Sequence, residues 1–192
     1  MTTTLTALYQ FDDTHKGGDV TLDRIGLILL RPFQRAWCDE TPTNGHIFAT
    51  TGGDSVHFCA LEVSGNVTDE SPVVMIVPCN PDAPRLVVGE TLRDFLALGS
   101  VIGFSLLDQL VYGFDKTLGY LFDYEAYVRY DYFGAEPPEL DLEDIAARKK
   151  FLREFSKAFG LMPWSNPRAK FETLQQKWSG TIELPLQDKA ER

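Results

Sequence analysis

The sequence predicts an α+β fold, a mainly antiparallel sheet with a central hairpin, packed by helices mostly from the C-terminal half. Three observations predict it. Short apolar runs rich in Val, Ile and Phe fill residues 46–88 and are separated by Gly, Pro, Asn and Asp, the punctuation of strands and turns. From residue 89 the apolar spacing changes to i, i+3, i+4, the repeat of helices with one buried face. Strands thus come first and helices afterwards, an order that favours antiparallel pairing over a parallel sheet. At 192 residues and 44% hydrophobic content the chain suits one domain. Its core is expected over about 25–180, with 1–24 and 186–192 peripheral.

Residues 1–24 lack a clean period, and Gly17-Gly18 marks a turn in a polar stretch. The first firm element is the apolar run 25–30, a strand or the end of a helix. With Pro32 and Pro42, residues 31–45 read as loop or short helix. The hairpin follows, with strands at 46–50 and 55–62. Adjacent glycines in Thr51-Gly52-Gly53-Asp54 supply the positive φ that a reversal needs. With Gly52-Gly53 at the centre, Phe48 faces His57 and His46 faces Cys59. His46, Phe48, His57, Cys59 and Leu61 then share one face, and Ile47, Ala49, Val56, Phe58 and Ala60 the other. Both faces are mostly apolar, which predicts a strand pair covered on one side and partly on the other.

A polar link at 65–72 leads to a β-branched strand at 73–77, closed by Pro78. Asn80-Pro81-Asp82-Ala83-Pro84 is a turn, and 86–88 a short strand. Leu92, Phe95 and Leu96 make a short helix that Gly99 stops at a C′ position. A second helix is expected from Ser105, burying Leu106, Leu107, Leu110, Val111 and Phe114. Residues 118–133 fit both helix and strand. Asp141 begins the clearest helix: Glu143 and Asp144 lie in its first turn, Lys157 in its last, Gly160 beyond, and Ile145, Leu152, Phe155 and Phe159 form its stripe. A last helix takes Asn166 as N-cap and Pro167 at N1, and buries Phe171, Leu174 and Trp178. The tail from Asp188 is expected to fray.

A net charge of −10 disfavours nucleic acid and anionic membranes and suits a basic protein partner. Cys38, Cys59 and Cys79 are odd in number and lack CxxC spacing, which predicts reduced thiols and a cytoplasmic protein. No secretory signal is visible before Asp12-Asp13. The uncharged run 95–107 is too short for a bilayer, which takes about 20 apolar residues. Its Gly99 and Gly103 suit a corner between two short helices better than a dimer face, although a homodimer is kept as an expectation.

Gly53-Asp54-Ser55 resembles the nucleophile motif of the GDSL hydrolases. Those enzymes draw their base from a C-terminal Asp-x-x-His, and this chain has no histidine after His57. His46, His57 and Cys59 on one face invite zinc, yet no fourth ligand and no HxH, HExxH or CxxC accompanies them. Catalytic residues, metal and cofactor are therefore all expected to be absent. A small hydrolase or metalloprotein using the hairpin at 46–59 is the alternative. His15 reads as solvated. Glu136, Glu139, Asp141, Glu143 and Asp144 set five acids within nine residues beside Pro137-Pro138. They cap a helix or, in the sharper reading, form the protein-binding site for an electropositive partner. Trp37, Trp164 and Trp178 read as core.

Several segments in order carry a resemblance: Thr41-Pro42-Thr43-Asn44; residues 48–58 with Thr51, Gly52, Gly53, Asp54 and His57; Ser71-Pro72-Val73-Val74; Gly89-Glu90-Thr91-Leu92-Arg93-Asp94-Phe95-Leu96; and 155–164 with Phe171 and Leu174. Together they resemble bacterial members of the SUKH superfamily over roughly 25–180. Ser55 stands where a glycine commonly follows the turn aspartate. The resemblance implies an α+β, non-catalytic protein-binding fold. Its bacterial members are largely immunity proteins that neutralise toxins, often nucleases, so a basic toxin domain is the expected partner. Fungal relatives regulate cell-wall synthesis, and such a regulator or a dimeric scaffold is the second alternative.

Overall fold

The computed structural model describes residues 3–129 and 142–185. Five strands form one antiparallel meander in the order β1-β2-β3-β4-β5: β1 (Ile28–Gln34), β2 (Gly45–Thr50), β3 (His57–Leu61), β4 (Val73–Ile76) and β5 (Arg85–Gly89). Every residue of β3 and β4 is buried, so both faces of the sheet are covered. The fold is α+β with the hairpin β2–β3 at its centre, as its sequence predicts.

Alternation along the strands feeds two clusters. Phe58, Ala60, Val73, Met75 and Val88 point into the larger one, under α1 (Thr3–His15), α2 (Leu92–Leu98) and α6 (Leu142–Phe159). Aromatic rings carry contact from sheet to helices. Phe58 meets Phe95 at 4.8 Å, Phe95 meets Phe104 at 5.0 Å, and Phe155 meets Phe11 at 5.5 Å between centroids. On the other face Cys59, Leu61, Val74, Ile76 and Val87 pack against Leu174 of α7 (Pro167–Trp178), with Trp164, Trp178 and Ile182 beside them.

Local caps close three helices, those at Gly160 and Asn166 as expected and that at Thr91 without a forecast. The Thr91 hydroxyl accepts from the Asp94 amide at 3.0 Å, and the Asp94 carboxylate accepts from the Glu90 amide at 2.8 Å, closing a capping box on α2. Gly160 ends α6 at φ 56°, where the Leu161 amide reaches back to the Ser156 carbonyl at 2.8 Å. Asn166 caps α7 by accepting from the Ala169 amide at 3.2 Å.

Four expectations need correction. The segment 1–24 is not peripheral: α1 buries Leu5 and Leu8 completely. Its threonines weaken any helical signal, and its N-terminal amides are capped by the Asp69 carboxylate, 2.9 Å from the Thr4 nitrogen, which lies far along the chain. The run 25–30 divides at Gly26 (φ 80°) into a short 3-10 turn and β1, and β1 continues past Pro32 to Gln34. Proline is tolerated there because β1 is an edge strand. The helix expected from Ser105 is broken at Gly113 into α3 (Gln109–Tyr112) and α4 (Phe114–Leu121), and α5 (Tyr124–Arg129) follows. Gly99 is not a left-handed C′ residue, since its φ is −83°. A Cβ there would lie 2.3 Å from the Phe104 ring, so close approach is what glycine permits.

Both sheet edges are guarded. The Tyr9 hydroxyl donates to the Leu30 carbonyl at 2.8 Å on β1. On β5 the Gln175 amide donates to the Val87 carbonyl at 2.8 Å and accepts from its N–H at 3.1 Å, standing in for a further strand. Among the described residues no helix is long and apolar enough to cross a membrane.

Candidate functional site

The hairpin loop is wider than a two-residue reversal. Its last ladder pair is Thr50↔His57, the Thr51 amide donates to the Val56 carbonyl at 3.1 Å, and the Val56 amide donates to the Gly53 carbonyl at 2.9 Å. Gly52, Asp54 and Ser55 take the left-handed region with φ of 83°, 48° and 58°. Gly53 does not, and nothing lies within 4 Å of where its Cβ would be. Ser55 thus sits in a conformation that costs an L-residue free energy and suits glycine. Gly52 to Ser55 are exposed, and the Thr51 hydroxyl lies 3.4 Å from the Gly53 carbonyl.

The expected pairing of Phe48 with His57 and His46 with Cys59 is wrong. Ala49 pairs with Phe58 but Ile47 pairs with Cys59, so a bulge at Phe48 shifts the register by one. Because side chains alternate, that shift puts His46 opposite Ala60 and on the face away from His57 and Cys59. The three side chains expected to invite a metal are therefore parted by the sheet. His46 instead approaches the Glu62 carboxylate at 2.5 Å, and Arg35 reaches the same oxygen at 2.7 Å. These two partners hold the Glu62 carboxyl below its ordinary range. Among the described residues no three His, Cys, Asp or Glu side chains are grouped to hold a metal ion.

His57 is fully buried, and both ring nitrogens are used. Nδ1 lies 2.7 Å from the Ser55 carbonyl, which only accepts, so Nδ1 carries the proton. Nε2, 3.0 Å from Thr41 Oγ1, then accepts from that hydroxyl. Burial pushes the imidazole pKa down and favours this neutral form. Thr41 is buried as well, with the Trp37 and Cys38 amides each 3.4 Å from its hydroxyl, and the Trp37 ring lies 5.2 Å from the imidazole. The histidine grips the backbone of Ser55, not its hydroxyl, so the pair is not a nucleophile and its base. Cys59 is fully buried, and burial raises its thiol pKa far above the ordinary value.

The other segments that carry the resemblance are also engaged internally. Asn44 donates to the Thr181 carbonyl at 2.9 Å and accepts from the Glu183 amide at 3.2 Å, and the Thr43 amide donates to the Glu183 carbonyl at 2.8 Å. This clamps the segment after α7 onto the loop that leads into β2. Gly89 lets α2 close on β5, since a Cβ there would meet the Phe95 backbone nitrogen at 2.7 Å. Trp164 packs against both clusters, with its ring 5.1 Å from Phe171.

Of the five acids expected to bind a partner, Glu136, Glu139 and Asp141 lie outside the described residues. Glu143 and Asp144 open α6, with the Asp144 carboxylate 3.7 Å from Arg24. Two open depressions of about 350 and 280 Å³ flank Asp94, one beside Trp164 and Lys170, the other beside Arg93 and Met162. Lys170 is tied to Glu90 at 3.2 Å and to Asp94 at 3.1 Å. At the hairpin's loop end, the Cys79 thiol lies 3.9 Å from the Asp54 carbonyl and the Asn80 side chain donates to the Val111 carbonyl at 3.1 Å, contacts that no local sequence signal announces. Comparison with protein-family models, with curated proteins and with solved structures finds no match.

Proposed function

We propose that this chain is a non-enzymatic protein-binding module, of the kind the SUKH resemblance implies, which neutralises a basic partner such as a toxin domain. The observation that carries this reading is how the hairpin histidine is used: both nitrogens of His57 are committed to Thr41 and to the Ser55 carbonyl. Such a residue holds a loop and a turn in place, and leaves function to the surface. Thr41, Asn44, Gly89, Thr91 and Asp94 behave alike, each serving a cap, a clamp or a close approach. The net charge of −10 supports a basic partner, because opposite charge speeds encounter and selects against wrong partners.

An immunity gene normally lies beside that of its toxin, so the test is co-expression with the polypeptide encoded next to this chain. The expected result is a stoichiometric complex and relief of growth arrest. Absence of a complex, together with ester hydrolysis lost in Ser55→Ala or metal retained at one per chain, would overturn the reading in favour of a hydrolase or metalloprotein.

A further inference from the structure

Asn44-Gly45, at the entry to β2, is the pair of residues in this chain most open to spontaneous deamidation. In that reaction the backbone nitrogen after an asparagine attacks the side-chain amide carbon. A following glycine leaves the nitrogen unhindered and lets the chain bend toward it. The other asparagines are poor substrates. Asn80 and Asn166 precede proline, which has no N–H, and Asn66 precedes the β-branched Val67.

Packing dictates both residues of the pair. The Asn44 side chain donates to the Thr181 carbonyl at 2.9 Å and accepts from the Glu183 amide at 3.2 Å. Aspartate only accepts and glutamine is longer, so neither can take both roles in this place. At position 45 a Cβ would come 3.0 Å from the Pro42 carbonyl oxygen and 3.3 Å from the Cys59 Cβ, which favours glycine.

The polar groups around the reactive bond are all engaged. The Gly45 amide donates to the Pro42 carbonyl at 3.0 Å, and the Asn44 carbonyl accepts from the Glu62 amide at 2.8 Å. Attack requires the Asn44 side chain to leave its own two partners and swing over Gly45. Both of those partners belong to residues 181–183. That segment is held by the Thr43 amide on the Glu183 carbonyl and by Ile182 against the second cluster.

We infer that Asn44-Gly45 is a modification site, a deamidation centre that residues 181–183 hold in check and whose conversion releases them irreversibly. When the segment lifts, hydroxide takes the Gly45 amide proton and the nitrogen bonds to Asn44 Cγ. The Cγ–Nδ2 bond breaks, and ammonia leaves with a proton from water. Water then opens the succinimide at either carbonyl, giving aspartate or isoaspartate. Neither product rebuilds the clamp. In aspartate an oxygen replaces Nδ2 opposite the Thr181 carbonyl, setting two acceptors face to face with a buried charge. Isoaspartate lengthens the main chain ahead of β2. The site is independent of the binding partner proposed above.

The test holds the full-length chain at 37 °C and pH 8.5, folded and in 8 M urea. Peptide mapping by mass spectrometry follows the mass gained and the isoaspartate formed at each asparagine. In urea Asn44 should convert well ahead of Asn66. In the folded chain it should convert at least about tenfold more slowly, because the engaged groups must first open. Ile182→Ser loosens the segment. Glu183→Pro removes one donor at an exposed position, where Ile182 is already extended (φ −77°, ψ 109°) as a residue before proline must be. Each should speed conversion in the folded chain by about threefold or more, and Glu183→Pro decides the matter where Ile182→Ser does not fold. Asn44→Asp should lose hydrogen-exchange protection at the Thr43 and Glu183 amides while β3 and β4 keep theirs. Equal rates for folded and unfolded Asn44, no acceleration in Glu183→Pro, or a protected Glu183 amide in Asn44→Asp would overturn the site.

Discussion

Thr41 Oγ1 and His57 Nε2 lie 3.0 Å apart in the protein interior and join the loop after β1 to the first residue of β3. With the Ser55 carbonyl on the other ring nitrogen, the imidazole pins two loops at once. Its neutrality is part of the arrangement, because a charged ring would have to be buried and would turn Nε2 from acceptor to donor.

Stability should therefore fall in acid through His57. The unfolded chain protonates this ring near the ordinary value of 6.5, whereas burial holds the folded ring neutral to lower pH. The unfolded state then binds more protons as pH falls through 6.5, which favours unfolding. Thermal melting at pH 7.5 and 5.5 should show a drop in wild type that is smaller in His57→Gln. Equal drops in the two proteins would assign the acid sensitivity elsewhere.

Replacing Thr41 by valine keeps the volume and removes the hydroxyl, leaving Nε2 buried without a donor. Urea unfolding should show a loss of about 1–3 kcal/mol, the cost of an unsatisfied buried polar group. Thr41→Ser should retain most of the stability. A silent Thr41→Val would mean that the loop is held by other contacts.

The turn residues should separate by backbone angle. Gly53→Ala should change stability by less than about 0.5 kcal/mol, because its site is open and its φ is not left-handed. Gly52→Ala should cost about 1 kcal/mol or more, having φ of 83° and the Ile28 side chain 2.7 Å from the new Cβ. Ser55→Gly should stabilise by up to about 1 kcal/mol by relieving the left-handed serine. Denaturation midpoints of the three variants give the order directly, and a stabilised Gly52→Ala would refute it.

At the β5 edge, Gln175→Ala removes two hydrogen bonds to Val87 and uncovers a strand edge. A loss of about 1–3 kcal/mol and a rise in light scattering on heating are expected. Scattering equal to wild type would show that α7 guards the edge without its glutamine.

Elements whose stop signals are local were legible in the sequence. Gly160 and Asn166 with Pro167 mark helix ends within a few residues, and the structure uses each of them. What was illegible depends on distant partners. The cap of α1 comes from Asp69, the bulge at Phe48 has no sequence marker, and the loop end ties Cys79 to Asp54 and Asn80 to Val111 from separate segments. One unmarked bulge was enough to reverse the face of His46 and to part the three side chains of an expected metal site. Thr41 as the partner of His57 was not foreseeable either, since it lies across a loop with no regular period.

If this acidic chain acts by binding a basic polypeptide and not by chemistry in its hairpin, as proposed above, its affinity should depend on charge and not on His57. Calorimetric titration with the polypeptide encoded beside it tests this most directly, at 50 and 500 mM salt and with His57→Gln as well as wild type. A one-to-one complex that weakens by about tenfold or more at high salt is expected, as steering and pairing between opposite charges require. The folded His57→Gln protein should bind alike. Absence of binding heat, or an affinity indifferent to salt, would contradict it.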